Sequence, residues 1–417
     1  MKILFVHQNF PGQYRHLAAA LARTPGWEVV GLGDPKNIKN RPPIPGVKLG
    51  GYQAPAPASP RTHHYVAPLE SAVRRGQSVV RACLELKKRG FTPDVIHAHP
   101  GWGEALFLKD VFPAARVTVY CEFYYRGSGT DVGFDPEYPA TLDDVCRVRV
   151  KNAASVLSLE AADAGVSPTQ WQKKQFPKEY QDRIEVVPEG VNTDLLKPDA
   201  AAELVIPERK LKLTPSDEVI TYVARNLEPY RGFHVFMRAL PEIQRRRPNA
   251  HVLVVGADGV SYGRQLPKDT TYRKRLLEEV GAKLALERVH FLGQVPYSTL
   301  VKIYQVSSAH VYLTYPFVLS WSLLEAMAAG CVIVGSRTPP LEEVVTDGRN
   351  GFLTDFFDTA KLAERVDKAL DKRKDLQKVR ERARKTIVER YDLKRVCLPG
   401  QLKLLGVTGK KPGFKSG

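Results

Sequence analysis

The chain has 417 residues, of which 43% are hydrophobic and 26% charged, and it carries a formal net charge of +17 at pH 7. This length exceeds what one hydrophobic core holds, so two domains of about 200 residues each are expected. The cysteines are scattered without a C-x-x-C pair, which argues against a disulfide framework or a zinc site and fits a reducing cytoplasm.

The positive charge is concentrated towards the two ends of the chain. Residues 1–100 contain 14 Lys and Arg against 5 Asp and Glu, and much of this charge falls on helical patterns. Solvated helix faces are the favoured explanation, and a patch that faces a membrane or an anionic acceptor is the alternative. No nucleic-acid-binding signature accompanies the basic runs, so we expect no nucleic acid partner.

Neither a secretory signal nor a membrane span is expected. The apolar run Lys2–Val6 is too short for a signal peptide, and no segment approaches the length of a spanning helix. We therefore expect a cytoplasmic protein, and its basic surface leaves a position at the inner face of the membrane open.

In the first half of the chain, short apolar segments alternate with longer helical patterns. The expected strands are Lys2–Val6, Trp27–Leu32, Asp94–His97, Arg116–Tyr120, Ser155–Leu159 and Ile184–Val187. The expected helices are Gln13–Arg23, Leu69–Arg89, Leu142–Asn152 and Thr169–Phe176. Because the strands are apolar throughout rather than alternating, they are typical of a parallel sheet covered on both faces.

The same alternation restarts after Pro198. The expected strands are Val219–Val223, His251–Val255, Val289–Phe291, His310–Leu313 and Val332–Gly335. The expected helices are Phe233–Arg246, Tyr272–Ala285, Thr299–Val306, Trp321–Ala329, Leu341–Val345 and Leu376–Arg390. Two such series predict an α/β protein with two doubly wound, Rossmann-like domains that face each other across a ligand-binding cleft.

The expected boundary between the domains is Val187–Asp194, where Pro, Gly and Asn interrupt the pattern. We expect an N-terminal domain over residues 1–195 and a C-terminal domain over residues 196–390. Residues 391–417 form a terminal segment, and its last part, Gly409–Gly417, is expected to be disordered.

The most informative segment is the predicted helix that begins near Ser320. Its first turn, Ser320, Trp321, Ser322 and Leu323, offers backbone N–H groups and the positive end of the helix dipole to an anion. One turn later, Glu325 can accept hydrogen bonds from a diol such as that of a ribose. This combination predicts a nucleotide-diphosphate site. The alternative is that Ser322 and Glu325 form only a capping box, S-x-x-E.

Two arginines follow the first strand of the second domain. Arg225 stands at the strand end, and Arg231 comes just before Gly232, which opens a helix. Guanidinium groups stay ionised and donate bidentately to phosphate, so the pair can converge on one diphosphate and neutralise the charge on a departing nucleotide. The alternative is that both are ordinary surface arginines, and their shared location at one strand end argues against it.

Two glycines that follow strands indicate close approaches of the backbone. Gly12 lies in the first βα turn, and Gly256 follows a strand of the second domain. The first turn is not G-x-G-x-x-G, so NAD binding is poorly supported. Gly12 is a candidate for contact with a ligand, with a plain tight turn as the alternative. Gly256 is a candidate for a place beside a nucleotide base, with a flexible loop as the alternative.

Two further candidates for chemistry follow strands of the first domain. His97 and His99 alternate along a strand end and are expected to face opposite ways, with His97 in the core and His99, nearer the loop, at the cleft. Glu122 follows the next strand, where a carboxylate can orient a sugar hydroxyl or stabilise positive charge on an oxocarbenium-like centre. A salt bridge to Arg126 is the alternative for Glu122.

With these residues in place, the chain resembles the retaining nucleotide-sugar glycosyltransferases of family 4, in a bacterial form. The resemblance implies the GT-B fold, with the acceptor on the N-terminal domain and the nucleotide on the C-terminal domain. Arg225 and Arg231 match the family's basic pair on the donor diphosphate. Glu325 matches the second Glu of its E-x7-E motif, which holds the ribose hydroxyls.

Other positions match the family in the same way. Ser320 and Trp321 fall where its backbone amides receive the diphosphate or sugar, and Gly12 matches its N-terminal glycine loop. The first Glu of E-x7-E would stand at position 317, which is Phe317 in this chain. That difference leaves the donor sugar open, and it leaves room for a catalytically silent homologue.

The resemblance implies an enzyme that moves a sugar from a nucleotide-diphosphate donor to a saccharide, lipid-linked or small-molecule acceptor with retention of configuration. A phosphorylase or epimerase of the same fold, and a silent nucleotide-sugar-binding protein, are the alternatives. No D-x-D pair stands at the expected place, so no cofactor and no obligatory metal are expected. A peripheral contact with the membrane is a further expectation.

Overall fold

The structure is a computed structural model that describes residues 1–39, 41–371 and 375–406. The chain divides into two compact units. The first contains Met1–Glu189 together with the residues from Lys394 onward, and the second contains Gly190–Leu393. The division falls inside the predicted boundary segment, Val187–Asp194. The predicted disordered tail, Gly409–Gly417, lies outside the described residues.

The first unit is built on a parallel sheet with the strand order β3-β2-β1-β4-β5-β6-β7. Its strands are β1 (Lys2–Val6), β2 (Glu28–Gly33), β3 (Val47–Gly51), β4 (Val95–Ala98), β5 (Arg116–Tyr120), β6 (Ala164–Ser167) and β7 (Ile184–Val186). Its helices up to β7 are α1 (Arg15–Ala22), α2 (Pro35–Ile38), α3 (Ala67–Lys88), α4 (Leu108–Val111), α5 (Leu142–Lys151), α6 (Ala153–Ala161), α7 (Gln170–Gln175) and α8 (Lys178–Gln181). The central strands β1, β4 and β5 are buried except at the first residues of β1 and β5, Lys2 and Arg116, as expected for a sheet covered on both faces.

The second unit contains a parallel sheet with the order β12-β11-β10-β13-β14-β15 and a small hairpin, β8-β9. Its strands are β8 (Leu204–Ile206), β9 (Leu211–Leu213), β10 (Val219–Asn226), β11 (His251–Ala257), β12 (Val289–Gly293), β13 (Ala309–Tyr312), β14 (Val332–Ser336) and β15 (Phe352–Thr354). Its helices are α9 (Phe233–Arg246), α10 (Tyr272–Val280), α11 (Tyr297–Val306), α12 (Trp321–Ala328), α13 (Pro339–Glu342), α14 (Thr359–Asp371) and α15 (Gln377–Arg390).

After α15 the chain returns to the first unit. The last described helix, α16 (Leu398–Leu404), lies near α1, and the Nε2 of Gln401 donates a hydrogen bond to the carbonyl of Pro188 at 2.8 Å. Arg116 also donates to the carbonyl of Leu404 at 3.3 Å. The described part of the chain from Lys394 onward therefore packs within the first unit.

One predicted strand is wrong. Ser155–Leu159 lies inside helix α6, and the strand that follows β5 in the sheet is β6. A short apolar run cannot be assigned by periodicity alone, because a buried strand and a buried helical turn share the same pattern. Helix α6 as a whole is rich in Ala, Ser and Leu and contains one β-branched residue, which favours the helix.

Both sheets have the doubly wound order, which determines where a ligand binds. In each sheet the strand order reverses beside the first strand, between β1 and β4 in the first unit and between β10 and β13 in the second. Ligands of open α/β sheets bind beyond the carboxyl ends of the strands at this reversal. A ligand is therefore expected at the loops that follow β1, β4, β10 and β13.

A buried histidine makes the stability of the second unit depend on pH. His310 in β13 is fully buried, and its Nδ1 lies 2.9 Å from the Oγ1 of Thr221. Burial lowers the pKa of His310 from 6.5 to about 3, so the unfolded chain binds this proton more readily than the folded one. The free energy of unfolding should fall as the pH decreases below 6.5, by up to about 1.4 kcal/mol per pH unit from this residue.

We predict that His310→Asn, which keeps a polar atom near Thr221 but does not titrate, flattens this dependence between pH 6.5 and pH 4. Urea unfolding at several pH values measures it. The matched control is His63→Asn in the first unit, because His63 is exposed and makes no recorded ion pair with the described residues, and it should change the slope little. An unchanged slope in His310→Asn would show that burial does not suppress protonation there.

Candidate active site

The segment that follows β10 carries both predicted arginines. Residues Pro229–Arg231 form a 3-10 turn, and Gly232 then begins α9 in the left-handed conformation with φ of 67°. A Cβ atom at Gly232 would lie 2.3 Å from the Cβ of Leu313, so the position requires glycine for both reasons. This turn holds Arg231 against the loop that follows β13.

Arg231 is buried, and every recorded partner of its guanidinium is neutral. Its Nη1 donates to the Oγ1 of Thr314 at 2.8 Å and to the carbonyl of Val318 at 2.9 Å, and it lies 3.4 Å from the hydroxyl of Tyr312. A buried cation without a carboxylate partner is costly unless an anion compensates its charge. Arg231 is therefore suited to receive an anionic ligand.

Arg225 lies at the end of the same strand in a different environment. Its side chain is exposed, and within the described residues it makes no recorded hydrogen bond or ion pair. Its guanidinium is thus available to a ligand at the carboxyl end of β10. The alternative that both are surface arginines is wrong for Arg231, which is buried. Arg225 does lie at the surface.

Helix α12 begins close to the predicted place, with Ser320 as its N-cap. The Ser320 hydroxyl accepts a hydrogen bond from the backbone N–H of Ser322, and the Ser320 N–H donates to the hydroxyl of Tyr312 at 2.8 Å. Trp321 is 46% exposed, whereas the side chains of Ser322 and Leu323 are buried. Ser322 is therefore not the N-cap, and the alternative of a Ser322–Glu325 capping box is wrong.

Glu325 is held by two tyrosines that the sequence analysis did not identify. Its Oε1 accepts from the hydroxyl of Tyr297 at 2.9 Å, and its Oε2 lies 3.4 Å from the hydroxyl of Tyr304. Burial, together with the Glu325 charge, raises the pKa of Tyr304 well above 10, so this hydroxyl remains a donor. The carboxylate thus faces helix α11. No local motif marks Tyr297, because it meets Glu325 only through the fold.

Phe317 lies in an aromatic cluster next to Arg231. Its ring is buried, and it packs edge-on against Tyr230 at 5.3 Å and against Tyr262 at 4.9 Å between ring centroids. The guanidinium carbon of Arg231 lies 6.0 Å from the Phe317 ring and 5.7 Å from the Tyr262 ring. Aromatic faces attract a cation without neutralising it, so the cluster supports the charge of Arg231.

The two other glycines lie where strands meet loops. Gly12 has φ of 46°, and a Cβ atom there would lie 2.8 Å from the Nε2 of His7, so the turn after β1 packs directly on this ring. Gly256 lies near the end of β11, where a Cβ atom would meet Leu227 at 2.8 Å. Both glycines are required by close packing inside their own units.

The prediction that His97 and His99 face opposite ways is wrong, because residues two apart on a strand lie on the same face. Tyr120 lies 5.7 Å from His99 between ring centroids, and Tyr14, which contacts Tyr120, lies 4.6 Å from His97. The Nδ1 of His97 lies 2.7 Å from the Oγ1 of Thr118 inside the sheet. The Nδ1 of His99 accepts from the backbone N–H of Gly101 at 3.1 Å, so neutral His99 carries its proton on Nε2. That nitrogen faces Glu122, with 3.4 Å between His99 Nε2 and Glu122 Oε2.

A second contact positions Glu122. The backbone N–H of Asn9 donates to His7 Nδ1 at 2.9 Å, so the proton of neutral His7 is on Nε2 and points to the Oε1 of Gln13 at 2.8 Å. The Gln13 amide then donates to Glu122 Oε1 at 2.9 Å. Burial is the main cause that lowers the pKa of His7 well below 6.5, and the charge of His99 is the second. The His7 ring therefore stays neutral.

The structure therefore joins Glu122 and His99 in one cluster and links them to the glycine turn through Gln13. Trp102 stacks on His99 with 4.5 Å between ring centroids. The alternative salt bridge between Glu122 and Arg126 is not formed, because Arg126 donates to the carbonyl of Gln175 instead. Gln13 was missed by the sequence analysis because it lies 109 residues from Glu122 along the chain.

Two families of known proteins match the chain, one in each half. The family described as "Glycosyl transferase family 4 group" matches residues 25–196, and "Glycosyl transferases group 1" matches residues 207–386. This chain belongs to family 4 of the glycosyltransferases. The family that was inferred from the motifs is therefore confirmed.

Curated bacterial relatives agree with this assignment. Proteins from Nocardia farcinica and Corynebacterium efficiens, both named D-inositol 3-phosphate glycosyltransferase, are 31% and 30% identical to this family 4 chain over 225 and 299 residues. These matches cover 52% and 69% of this chain, and 47% and 66% of the two relatives. The chain thus spans about half to two thirds of the length of these relatives.

Solved structures establish the fold of this family 4 protein. Sucrose-phosphate synthase from Thermosynechococcus elongatus is similar with a TM-score of 0.72 and 20% identity, over 98% of this chain and 100% of that one. Anabaena HepE, solved with UDP and glucose, is similar with a TM-score of 0.67 and 16% identity, over 97% of this chain and 99% of that one. The fold is therefore GT-B, with two Rossmann-like domains, as the resemblance implied. Among the described residues, no helix combines the length and the apolar character needed to cross a membrane.

We predict that Glu325→Gln weakens nucleotide binding about tenfold, because hydrogen bonds to a charged carboxylate are stronger than those to an amide. Isothermal titration calorimetry with nucleoside diphosphates measures the change. The matched control is Glu342→Gln, since the Glu342 side chain is 43% exposed in the same unit, and it should bind as the unaltered chain does. Equal affinity in Glu325→Gln would remove Glu325 from the nucleotide site.

Proposed function

We propose that this family 4 member transfers a sugar from a nucleotide-diphosphate donor to an acceptor with retention of anomeric configuration. The proposal rests on the buried Arg231, whose guanidinium has only neutral recorded partners. Arg231 lies in the turn that follows β10, and the exposed Arg225 lies at the end of that strand. A buried cation that requires an anion and an exposed cation at the end of the preceding strand suit the diphosphate of a donor. The family and the GT-B fold support the same reaction.

The reaction follows from these roles. The acceptor oxygen bonds to the anomeric carbon on the face that the diphosphate leaves, the bond from that carbon to the phosphate oxygen breaks, and the acceptor proton passes to the departing phosphate. Arg225 and Arg231 stabilise the negative charge on the leaving group, the electrostatic effect that usually dominates. Glu325 and the start of α12 bind the nucleotide, with Gly256 beside the base.

The acceptor is assigned to the first unit. Glu122 accepts hydrogen bonds and lies beside the buried His99, so the pair can orient an acceptor hydroxyl, with Trp102 providing an apolar face for a sugar ring. Gly12 brings the turn after β1 to the same cluster through Gln13. The names of the curated relatives favour a hydroxylated acceptor with a phosphate, and saccharide and lipid-linked acceptors remain in the proposal.

UDP-sugars are the first donors to test, because UDP is bound in the solved HepE structure of the same fold. A contact with the inner face of the membrane is part of the proposal for a lipid-linked acceptor, supported by the basic charge of residues 1–100. Binding to vesicles with and without anionic lipid tests this part separately.

We predict that Arg225→Ala lowers the transfer rate by about a hundredfold or more, as does loss of one donor to a developing anion. Release of nucleoside diphosphate in the presence of an acceptor extract measures it. The matched control is Arg275→Ala, an exposed arginine on α10, which should retain activity. Near-normal activity in Arg225→Ala would contradict the proposed role.

We also predict that transfer needs no divalent metal, since two guanidinium groups supply the positive charge for the leaving diphosphate. After dialysis against EDTA, the same assay should show at least about half of the activity. A twofold loss corresponds to a change of less than about 1 kcal/mol in the activation free energy. A loss that added Mg²⁺ or Mn²⁺ restores would contradict this part of the proposal.

A silent nucleotide-sugar-binding protein is the second candidate, because Phe317 replaces the Glu that the E-x7-E motif would place there. Tight nucleotide binding without any product would favour it. The other enzymes of this fold are separated by their requirements, since a phosphorylase needs inorganic phosphate and an epimerase needs no acceptor.

A further inference from the structure

A third charged residue lies in the segment between the two arginines. Glu228 is 1% exposed, and its carboxylate accepts hydrogen bonds from three successive backbone N–H groups of the loop after β11. The N–H of Ser261 lies 3.1 Å from one oxygen and 3.2 Å from the other, and the N–H groups of Tyr262 and Gly263 lie 3.0 and 2.9 Å from Oε2.

Successive backbone N–H groups that converge in this way form a concavity that binds an anion. Here the anion is a side chain of the protein itself, and its burial is tolerated because three donors replace the water it loses. The two partners lie 33 to 35 residues apart in sequence. The contact therefore joins the loop after β11 to the arginine segment after β10.

Two further contacts strengthen this connection. The Asn226 side chain donates to the Oγ of Ser261 at 2.6 Å, so the arginine segment holds the loop at a second point. A Cβ atom at Gly263 would lie 3.3 Å from the Oε2 of Glu228, which leaves little space for a larger residue. The loop is thus held closely on the carboxylate.

The connection determines where Tyr262 lies. This residue is in the middle of the bound loop, and its ring packs against Phe317 and lies 5.7 Å from the guanidinium carbon of Arg231. The Glu228 carbonyl also accepts from the N–H of Arg231 at 3.2 Å. Glu228 therefore holds Arg231 through the main chain and Tyr262 through its carboxylate.

We propose that Glu228 is a positioning residue of the donor site, which aligns Arg231 and Tyr262 for the donor diphosphate without touching the donor itself. The proposal rests on the proposed function for the role of Arg231. It assigns to Glu228 an effect on donor binding, whereas a residue needed only for folding would affect stability and every substrate equally.

The first test is Glu228→Gln, which has nearly the same shape but replaces one accepting oxygen with an NH₂ group that cannot accept. We expect the KM for the donor and the Kd for the nucleotide to rise about tenfold, with the acceptor KM within about twofold of normal, as expected for one lost charged hydrogen bond. Glu279→Gln is the matched control, since Glu279 is an exposed carboxylate on α10 that pairs with Arg238. Unchanged donor binding, or a parallel loss of thermal stability and of both KM values, would overturn the proposal.

A double-mutant cycle tests whether Glu228 acts through Tyr262. If it does, the variant with Glu228→Gln and Tyr262→Ala should bind nucleotide within about twofold of the weaker single variant, because both changes remove the same contact. If the increase in the nucleotide Kd of the double variant equals the product of the two single increases, Glu228 does not act through Tyr262.

A second variant keeps the test available if Glu228→Gln does not fold. Gly263→Ala leaves the carboxylate intact but pushes on its Oε2, and it should weaken nucleotide binding by a few-fold, about 1 kcal/mol or less. Normal binding in Gly263→Ala would count against the proposal. Calorimetry with nucleotide alone reads out Glu228 even if no acceptor yields product, so failure of the transfer proposal and failure of this one are distinguishable.

Discussion

The arrangement of the second unit depends on a buried positive charge that no described carboxylate neutralises. Arg231 is surrounded by a hydroxyl, a carbonyl and aromatic faces, which satisfy its donors but leave its charge in place. Such a group destabilises the free protein unless an anion is bound. The chain around Arg231 is closely constrained. Gly232 admits no side chain, and the Tyr222 hydroxyl donates to the Arg231 carbonyl at 2.8 Å.

The first unit positions its polar groups in a different way, through proton positions rather than through a buried charge. Two backbone N–H groups occupy one nitrogen of His7 and one of His99, so both rings carry the proton on the other nitrogen when neutral. The His7 proton points to Gln13, whose amide donates to Glu122, whereas the Nε2 of His99 lies 3.4 Å from Glu122 Oε2 without a hydrogen bond among the described residues. The orientation of the carboxylate follows from local turns after β1 and β4.

The sequence predicts well whatever depends on local periodicity. β1, β5 and α9 have the predicted bounds, because β1 and β5 are rich in β-branched and aromatic residues and α9 has a long amphipathic repeat. Ser155–Leu159 is a run of the same length as β1 and β5 but has only one β-branched residue, and its assignment as a strand fails. The supporting residues of the site were not predictable, since Glu228, Gln13 and Tyr297 meet their partners over 28 to 109 residues of sequence and belong to no local motif.

The aromatic residue at position 317 is consistent with an uncompensated positive charge on Arg231. The Phe317 ring lies 6.0 Å from the Arg231 guanidinium, so a carboxylate on this side chain would pair with Arg231 and reduce its attraction for a phosphate. The carboxylate of the nearby Glu228 is held by backbone N–H groups of the loop after β11, and among the described residues it makes no recorded contact with the guanidinium of Arg225 or Arg231. With Phe317 beside it, Arg231 keeps its full charge for an anionic ligand, and contact with a donor sugar must come from other groups.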